Sequence, residues 1–135
     1  MPPEAGQPAQ GGGGLVLLVE DEEPVRRYLI RVLTELGFNA LPATSGLEAV
    51  ALFDQHRDDI VLIMLDFSLP GMSGDQVLAN IEEVSTVPVV VCTGSHEDEI
   101  EDLVAGHRVA AFLFKPYRLD AVRATIADVL GKDVP

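Results

Sequence analysis

Residues 60–74 read Ile-Val-Leu-Ile-Met-Leu-Asp-Phe-Ser-Leu-Pro-Gly-Met-Ser-Gly. Six apolar side chains run unbroken until Asp66, and Ser68, Pro70 and Gly71 follow as turn formers. A strand with one wet face would alternate apolar and polar residues, so an unbroken run of this length suits a strand covered on both sides. Asp66 then stands at the carboxyl end of that strand.

The same grammar extends in both directions. Short apolar runs at 15–19, 38–42, 60–65, 89–92 and 110–114 read as strands, and each is followed by a stretch of helical period. The first helix opens at Pro24, which a first turn tolerates, and carries Val25, Leu29, Val32, Leu33 and Leu36 inward until Gly37 ends it. The second follows a capping box from Ser45 to Glu48. The third follows a similar box from Ser73 to Gln76, with Val77, Leu78, Ile81 and Val84 inward. The fourth, about 96–105, is acidic and weakly amphipathic and stops at Gly106. The fifth buries Leu119, Val122, Ile126, Val129 and Leu130 and stops at Gly131. Strict alternation with wholly apolar strands predicts an α/β fold, a doubly wound parallel sheet covered on both faces by right-handed crossovers.

The 135 residues hold 22 Asp and Glu against 9 Lys and Arg, a formal charge of −13. That balance disfavours nucleic acid or an anionic membrane as the main partner. No apolar run approaches the roughly 20 residues of a membrane span, and no secretion signal opens the chain. Cys92 stands alone, which excludes an internal disulfide and fits a reducing cytoplasm. Residues 1–14, with three prolines and five glycines, read as flexible linker, 15–131 as one domain, and 132–135 as a tail. No output domain is expected beyond Gly131.

In an open parallel sheet, ligands bind beyond the carboxyl ends of the strands. Those ends carry Glu20 and Asp21, then Asp66 with Ser68, then Thr93 and Gly94, then Lys115 and Pro116. Three carboxylates, a hydroxyl and an ammonium converge on one rim. Oxygen ligands without histidine or thiolate describe a hard divalent cation, and a shallow site with few protein ligands suits Mg²⁺. Without a cation the three carboxylates would resist ionising.

Four segments, Leu-Val-Glu-Asp-Glu-Glu at 18–23, Met-Leu-Asp-Phe-Ser-Leu-Pro-Gly-Met-Ser-Gly at 64–74, Cys-Thr-Gly at 92–94 and Lys-Pro-Tyr at 115–117, lie in order at four strand ends. Together they strongly resemble the CheY-like receiver domain of two-component response regulators. The resemblance runs from about Leu15 to Leu130 and implies a flavodoxin-like (βα)₅ sheet of strand order 2-1-3-4-5. It implies that Asp66 accepts a phosphoryl group from a phosphohistidine on a histidine kinase or a histidine phosphotransfer domain. Mg²⁺ (or Mn²⁺) would be held by Asp21, by Glu20 through water, by Asp66 and by the backbone carbonyl of Ser68. Lys115 would stabilise the transferring charge, with Thr93 and Phe112 as the switch pair and a cis peptide before Pro116. Many members carry tyrosine where Phe112 stands, and aspartate where Glu20 stands.

The wording of the segments looks most like receivers of hybrid sensor histidine kinases, which would tether a cytoplasmic domain to a membrane sensor. A stand-alone single-domain regulator is the alternative. The resemblance also implies a partner surface on the fourth helix, fifth strand and fifth helix, through which a downstream protein or a weakly bound second copy would dock. Such a domain is a switch rather than an enzyme, limited to its own phosphorylation and dephosphorylation. A Mg²⁺-dependent phosphatase with an aspartate nucleophile usually has a second aspartate where Ser68 stands. A nucleotide binder would meet four carboxylates at 20–23, and a docking module without phosphorylation would have little need for the retained rim.

Blander readings cover the remaining polar residues. Glu22 and Glu23 suit an acidic first turn favoured by the helix dipole. The acidic residues at 97–102 suit a solvated helix face. His56, His96 and His107 lack metal-ligand spacing and read as surface or loop residues, Cys92 reads as a small core residue, and Gly71 and Gly74 read as turn formers.

Overall fold

Apolar strands with no polar alternation have to be covered twice, and the computed structural model, which describes residues 13–69, 72–94 and 97–131, shows both covers. The elements alternate strictly: β1 (Leu15–Val19), α1 (Glu23–Glu35), β2 (Asn39–Ala43), α2 (Gly46–His56), β3 (Ile60–Asp66), α3 (Gly74–Glu82), β4 (Val89–Thr93), α4 (Glu97–Leu103), β5 (Ala111–Phe114) and α5 (Leu119–Leu130). All strands pair in parallel, in the order β2-β1-β3-β4-β5. The expectations for 1–12, Pro70, Gly71, His96 and 132–135 lie outside the described residues.

Alternate strand residues feed two separate cores. Leu17, Val19, Ile63, Leu65, Val89 and Val91 meet Phe53 of α2, Val77, Leu78 and Ile81 of α3 and Ile100 of α4. Val16, Leu18, Leu62, Met64, Val90 and Cys92 meet Leu29, Val32 and Leu33 of α1 and Val122 and Ile126 of α5. Each fully buried aliphatic side chain contributes about 1.5–3 kcal/mol, so β1, β3 and β4, buried from both sides, anchor the sheet.

The boundaries move where a backbone group finds another partner. Phe38 stays out of β2 because its N–H donates to the carbonyl of Leu33 and closes the end of α1, where Gly37 takes φ +93°. Pro42 sits within β2, an edge strand that tolerates its missing donor. Gly13 and Gly14, assigned by composition to the linker, pair with the fold: Gly13 N–H donates to Gly37 O, and Gly14 O accepts from Asn39 N–H.

The Ser73–Gln76 box forms in both directions. At α2 only half of the expected box forms: the Ser45 hydroxyl accepts from Glu48 N–H, but the Glu48 carboxylate turns to the N–H and hydroxyl of Thr44. Two residues read as inward are exposed. Val84 lies past the last turn of α3, and Leu119 is the first residue of α5, where the helix has not yet reached the sheet. Gly74 has a packing reason beyond turn chemistry, since a Cβ there would lie 2.5 Å from the ring of Phe67.

Candidate functional site

The polar rim assembles because parallel strands all end on one edge. Asp66 is the last residue of β3 and pairs in register with Cys92 of β4, so Thr93 ends its strand at the next level. Glu20 follows β1 and still donates its N–H to Ala43 O at 3.0 Å. Lys115 follows β5, and its N–H donates to Thr93 O at 2.8 Å. The sheet therefore fixes four backbones before any side chain acts.

The side chains then converge. Oxygens of Glu20, Asp21 and Asp66 all lie within 4.8 Å of one another. Glu20 and Asp66 are each 1% exposed, whereas Asp21 is open to solvent. The Lys115 Nζ lies 3.4 Å from Asp66 Oδ2, 3.8 Å from Glu20 Oε1 and 3.4 Å from Glu22 Oε1. Asp66 Oδ1 accepts from the Ser68 N–H at 3.0 Å and from its hydroxyl at 2.8 Å, so Ser68 touches the carboxylate directly. The Lys115–Pro116 peptide is cis.

The site is electrostatically incomplete. Glu20 Oε2 accepts from Glu22 N–H at 3.1 Å, but Oε1 is buried without a hydrogen-bond partner. Burial, with the Asp66 charge beside it, pushes the Glu20 carboxyl up to about 7. Burial alone would lower the ammonium of Lys115, yet Asp66 and Glu20 outweigh it and hold the group above its ordinary value. An orphaned carboxylate oxygen among three converging carboxylates fits a hard divalent cation, because such an ion satisfies lone pairs that no N–H reaches.

The last two strands also position the two residues expected as a switch pair. Phe112 lies on β5, half-buried against the core shared with α2, α3 and α4, and stacks on Phe114 with centroids 6.2 Å apart. Thr93 is 3% exposed at the end of β4. Cys92 is a core residue as read, and burial pushes its thiol up to about 12, far from a reactive thiolate. Glu99, Glu101 and Asp102 are exposed on α4, as a solvated face should be.

Glu22 belongs to the site, contrary to its reading as a helix-dipole residue: its amide holds Glu20 and its carboxylate shares Lys115 with Asp66. No local signal marks that contact across 93 residues. His107 lies in the loop between α4 and β5, as read, and its ring Nδ1 lies 2.9 Å from Glu82 Oε1. Beside Lys115 opens a groove of about 720 Å³ lined by Glu22, Pro24, Val25, Tyr28, Gly94 and Pro116.

A sheet of this order with an acidic rim facing a lysine defines a class, and comparison with known proteins places the chain in it. Residues 16–127 match the response regulator receiver domain, and the chain belongs to that family, the receivers of two-component systems. Among curated relatives, the sensory transduction protein RegX3 of Mycobacterium bovis is 42% identical over 119 residues, 87% of this chain and 51% of that protein. The sensor kinase CckA of Brucella abortus is 28% identical over 90% of this chain and 13% of its own length. Among solved structures, a CheX–CheY–BeF₃–Mg²⁺ complex from Borrelia burgdorferi superposes with a TM-score of 0.78 at 29% identity, covering 87% of this chain and 89% of that one. The chain spans about half the length of RegX3. No helix among the described residues is long and apolar enough to cross a membrane.

Proposed function

We propose that this receiver domain is a phosphoacceptor in a two-component relay, with Asp66 as the accepting residue. The observation that carries the reading is Lys115 Nζ placed 3.4 Å from Asp66 Oδ2 inside a cluster of three carboxylates, one of them with a buried oxygen that no hydrogen bond reaches. An Asp66 oxygen attacks the phosphorus of a phosphohistidine, the N–P bond breaks, and its electron pair stays on the departing imidazole nitrogen. The product is an acyl phosphate on Asp66.

Glu20, Asp21, Asp66 and the backbone carbonyl of Ser68 would hold Mg²⁺ or Mn²⁺. Such an ion, when bound, supplies positive charge to oxygens that otherwise repel the incoming phosphoryl group. Lys115 neutralises the remaining charge. The Thr93 hydroxyl turns to the new phosphoryl oxygen, and Phe112 moves into the space it leaves. The domain thus works as a switch whose chemistry is confined to its own Asp66 and does not turn over free substrate.

The donor in this reading is a histidine kinase or a histidine phosphotransfer domain, met in the cytoplasm. Its host is a hybrid histidine kinase, which the likeness to CckA over 90% of the chain supports. A separate response regulator is the alternative, supported by the higher identity to RegX3. A downstream protein or a second copy would meet the face of α4, β5 and α5, where Leu103, Phe114 and Leu119 are exposed.

Incubation with acetyl phosphate and Mg²⁺ is expected to add one acid-labile phosphoryl group, absent from Asp66→Asn. Equal labelling of that variant at another residue would refute the assignment. A phosphotransfer profile against purified kinases then separates the two hosts, because a hybrid kinase's receiver takes phosphate fastest from its own kinase core.

A further inference from the structure

Glu20 and Asp21 are adjacent in sequence, and on an extended strand adjacent side chains point to opposite faces. Both nevertheless bring a carboxylate oxygen to within 4.8 Å of Asp66. The chain leaves the sheet here, between the end of β1 at Val19 and the start of α1 at Glu23, with Glu20 N–H making its last bond to the β2 side. Leaving the sheet exposes carbonyls that no neighbouring strand can satisfy, and it gathers the like charges of residues 20–23.

Arg26, one turn into α1, answers both problems. Its Nη1 donates to the carbonyl oxygen of Glu20 at 3.2 Å and to that of Asp21 at 3.3 Å. Consecutive carbonyls on an extended chain point opposite ways, so a single nitrogen can reach both only while the peptide between them is turned. Arg26, itself half-buried, also brings positive charge to the backbone of a loop of four carboxylates. Glu22 N–H completes the frame by holding Glu20 Oε2 from the other side.

We infer that Arg26 is a positioning residue for the divalent-cation site: its grip on the carbonyls of Glu20 and Asp21 fixes the exit from the sheet that turns both carboxylates toward Asp66. Arg26 touches no carboxylate of the cluster through these bonds, so its effect reaches the site through the backbone. The inference rests on the phosphoacceptor reading for the identity of the ion but is measurable without phosphorylation.

The test compares the full chain with Arg26→Met, which keeps the aliphatic stem and removes the donors, and Arg26→Lys, which restores a cation with donors. Mn²⁺ binding is read by loss of the free-ion electron paramagnetic resonance signal. Melting temperature is read with and without Mn²⁺, and labelling by acetyl phosphate at saturating Mg²⁺. Loss of a group that orients metal ligands typically weakens binding 10- to 100-fold, and acting through the backbone puts Arg26→Met at about tenfold, with Arg26→Lys recovering to within about threefold of the native protein. The rise in melting temperature on adding Mn²⁺ shrinks in Arg26→Met, while its labelling rate at saturating Mg²⁺ approaches the native rate.

A folded Arg26→Met that binds Mn²⁺ like the native protein overturns the inference and leaves the phosphoacceptor reading standing. Weakened Mn²⁺ binding in Arg26→Met together with no labelling of the native Asp66 overturns the phosphoacceptor reading and leaves the positioning role standing. If Arg26→Met does not fold, Arg26→Gln carries the same expected loss, since its single amide is too short to span both carbonyls. Native affinity in that variant overturns the inference equally.

Discussion

Glu20 and Glu82 are both carboxylates drawn out of water, and the fold treats them in opposite ways. Glu20 follows β1 at 1% exposure, with one oxygen on a backbone amide and the other without a hydrogen bond, 3.8 Å from the Lys115 ammonium. Burial drives its carboxyl up to about 7. Glu82 ends α3 with its side chain 21% exposed. Its Oε1 faces His107 Nδ1, its Oε2 accepts from Arg108 N–H, and Arg108 also donates to the carbonyls of Glu82 and Ser85. Burial alone would raise Glu82 too, but the bonds from His107 and Arg108 outweigh it and hold the carboxyl below its ordinary value. The satisfied carboxylate fastens the segment before β5 to α3. The unsatisfied one keeps charge that only an incoming group can complete, and a fold keeps such charge where it has chemistry to do.

The strongest way to break that contrast is to remove the cation already present at the rim. Lys115→Met takes away the ammonium 3.4 Å from Asp66 and 3.8 Å from Glu20. Labelling by acetyl phosphate at saturating Mg²⁺ is expected to slow by about 10²-fold, the usual loss for one donor aimed at developing charge. Mn²⁺ affinity should not fall, because an ammonium and a metal ion repel each other across the same oxygens. Unchanged labelling would mean that Lys115 merely shields the resting carboxylates.

A second test acts on Glu20 itself and sharpens the comparison through its sign. The folded carboxyl near 7 lies above its ordinary value of 4.5, so the native state holds a proton that the unfolded chain has released between those values. The group's favourable contribution is complete below about pH 4.5 and is lost as pH rises through about 7. Glu20→Gln, which carries no charge to bury, is expected to stabilise the metal-free protein by roughly 2 kcal/mol at pH 8 and to leave it nearly unchanged at pH 4. Urea unfolding in chelator across that range reads the difference. Addition of Mn²⁺ should reverse the order of the two proteins at pH 8, since the native site gains a ligand that the variant has lost. A variant less stable than the native protein at pH 8 without metal contradicts the account.

What the sequence disclosed, and what it hid, divides along the same physical line. Apolar runs mark β1 and β3 because covering a sheet on both faces leaves no choice of residue. Asp66, Thr93 and Lys115 stand out because each interrupts or ends such a run, and a parallel sheet sends every strand end to one edge. Phe38 misled because its backbone serves the end of α1 although its side chain is buried like a strand residue. Glu22 was hidden because the helix dipole already accounts for an acid at its position, while its contact with Lys115 depends on a strand far along the chain. Val84 and Leu119 lie at helix ends, where the apolar period continues after the packing has stopped. The contact of His107 was hidden for the reason that hid Glu22, since 25 residues separate the ring from Glu82 and no periodicity links them.

The smallest expected effect falls on that hidden clasp and carries the opposite sign. Glu82 has a folded value below its ordinary 4.5, so its contribution is present above that value and is lost as pH falls through the lower folded one. Glu82→Gln keeps the shape of the side chain but weakens two charge-assisted bonds that remain partly open to solvent, and about 1 kcal/mol of stability at pH 7 is expected to go. The loss should fade as pH falls below the ordinary value and the native carboxyl protonates toward the same neutral state. Mn²⁺ should leave the difference untouched, because His107 and Arg108 already complete the group. One carboxylate whose replacement stabilises at high pH until metal arrives, beside another whose replacement destabilises whether or not metal is present, would separate charge kept for binding from charge kept for the fold. If both variants respond to Mn²⁺ alike, the two sites are coupled through the sheet, and the rim cannot be treated as a unit apart from the clasp.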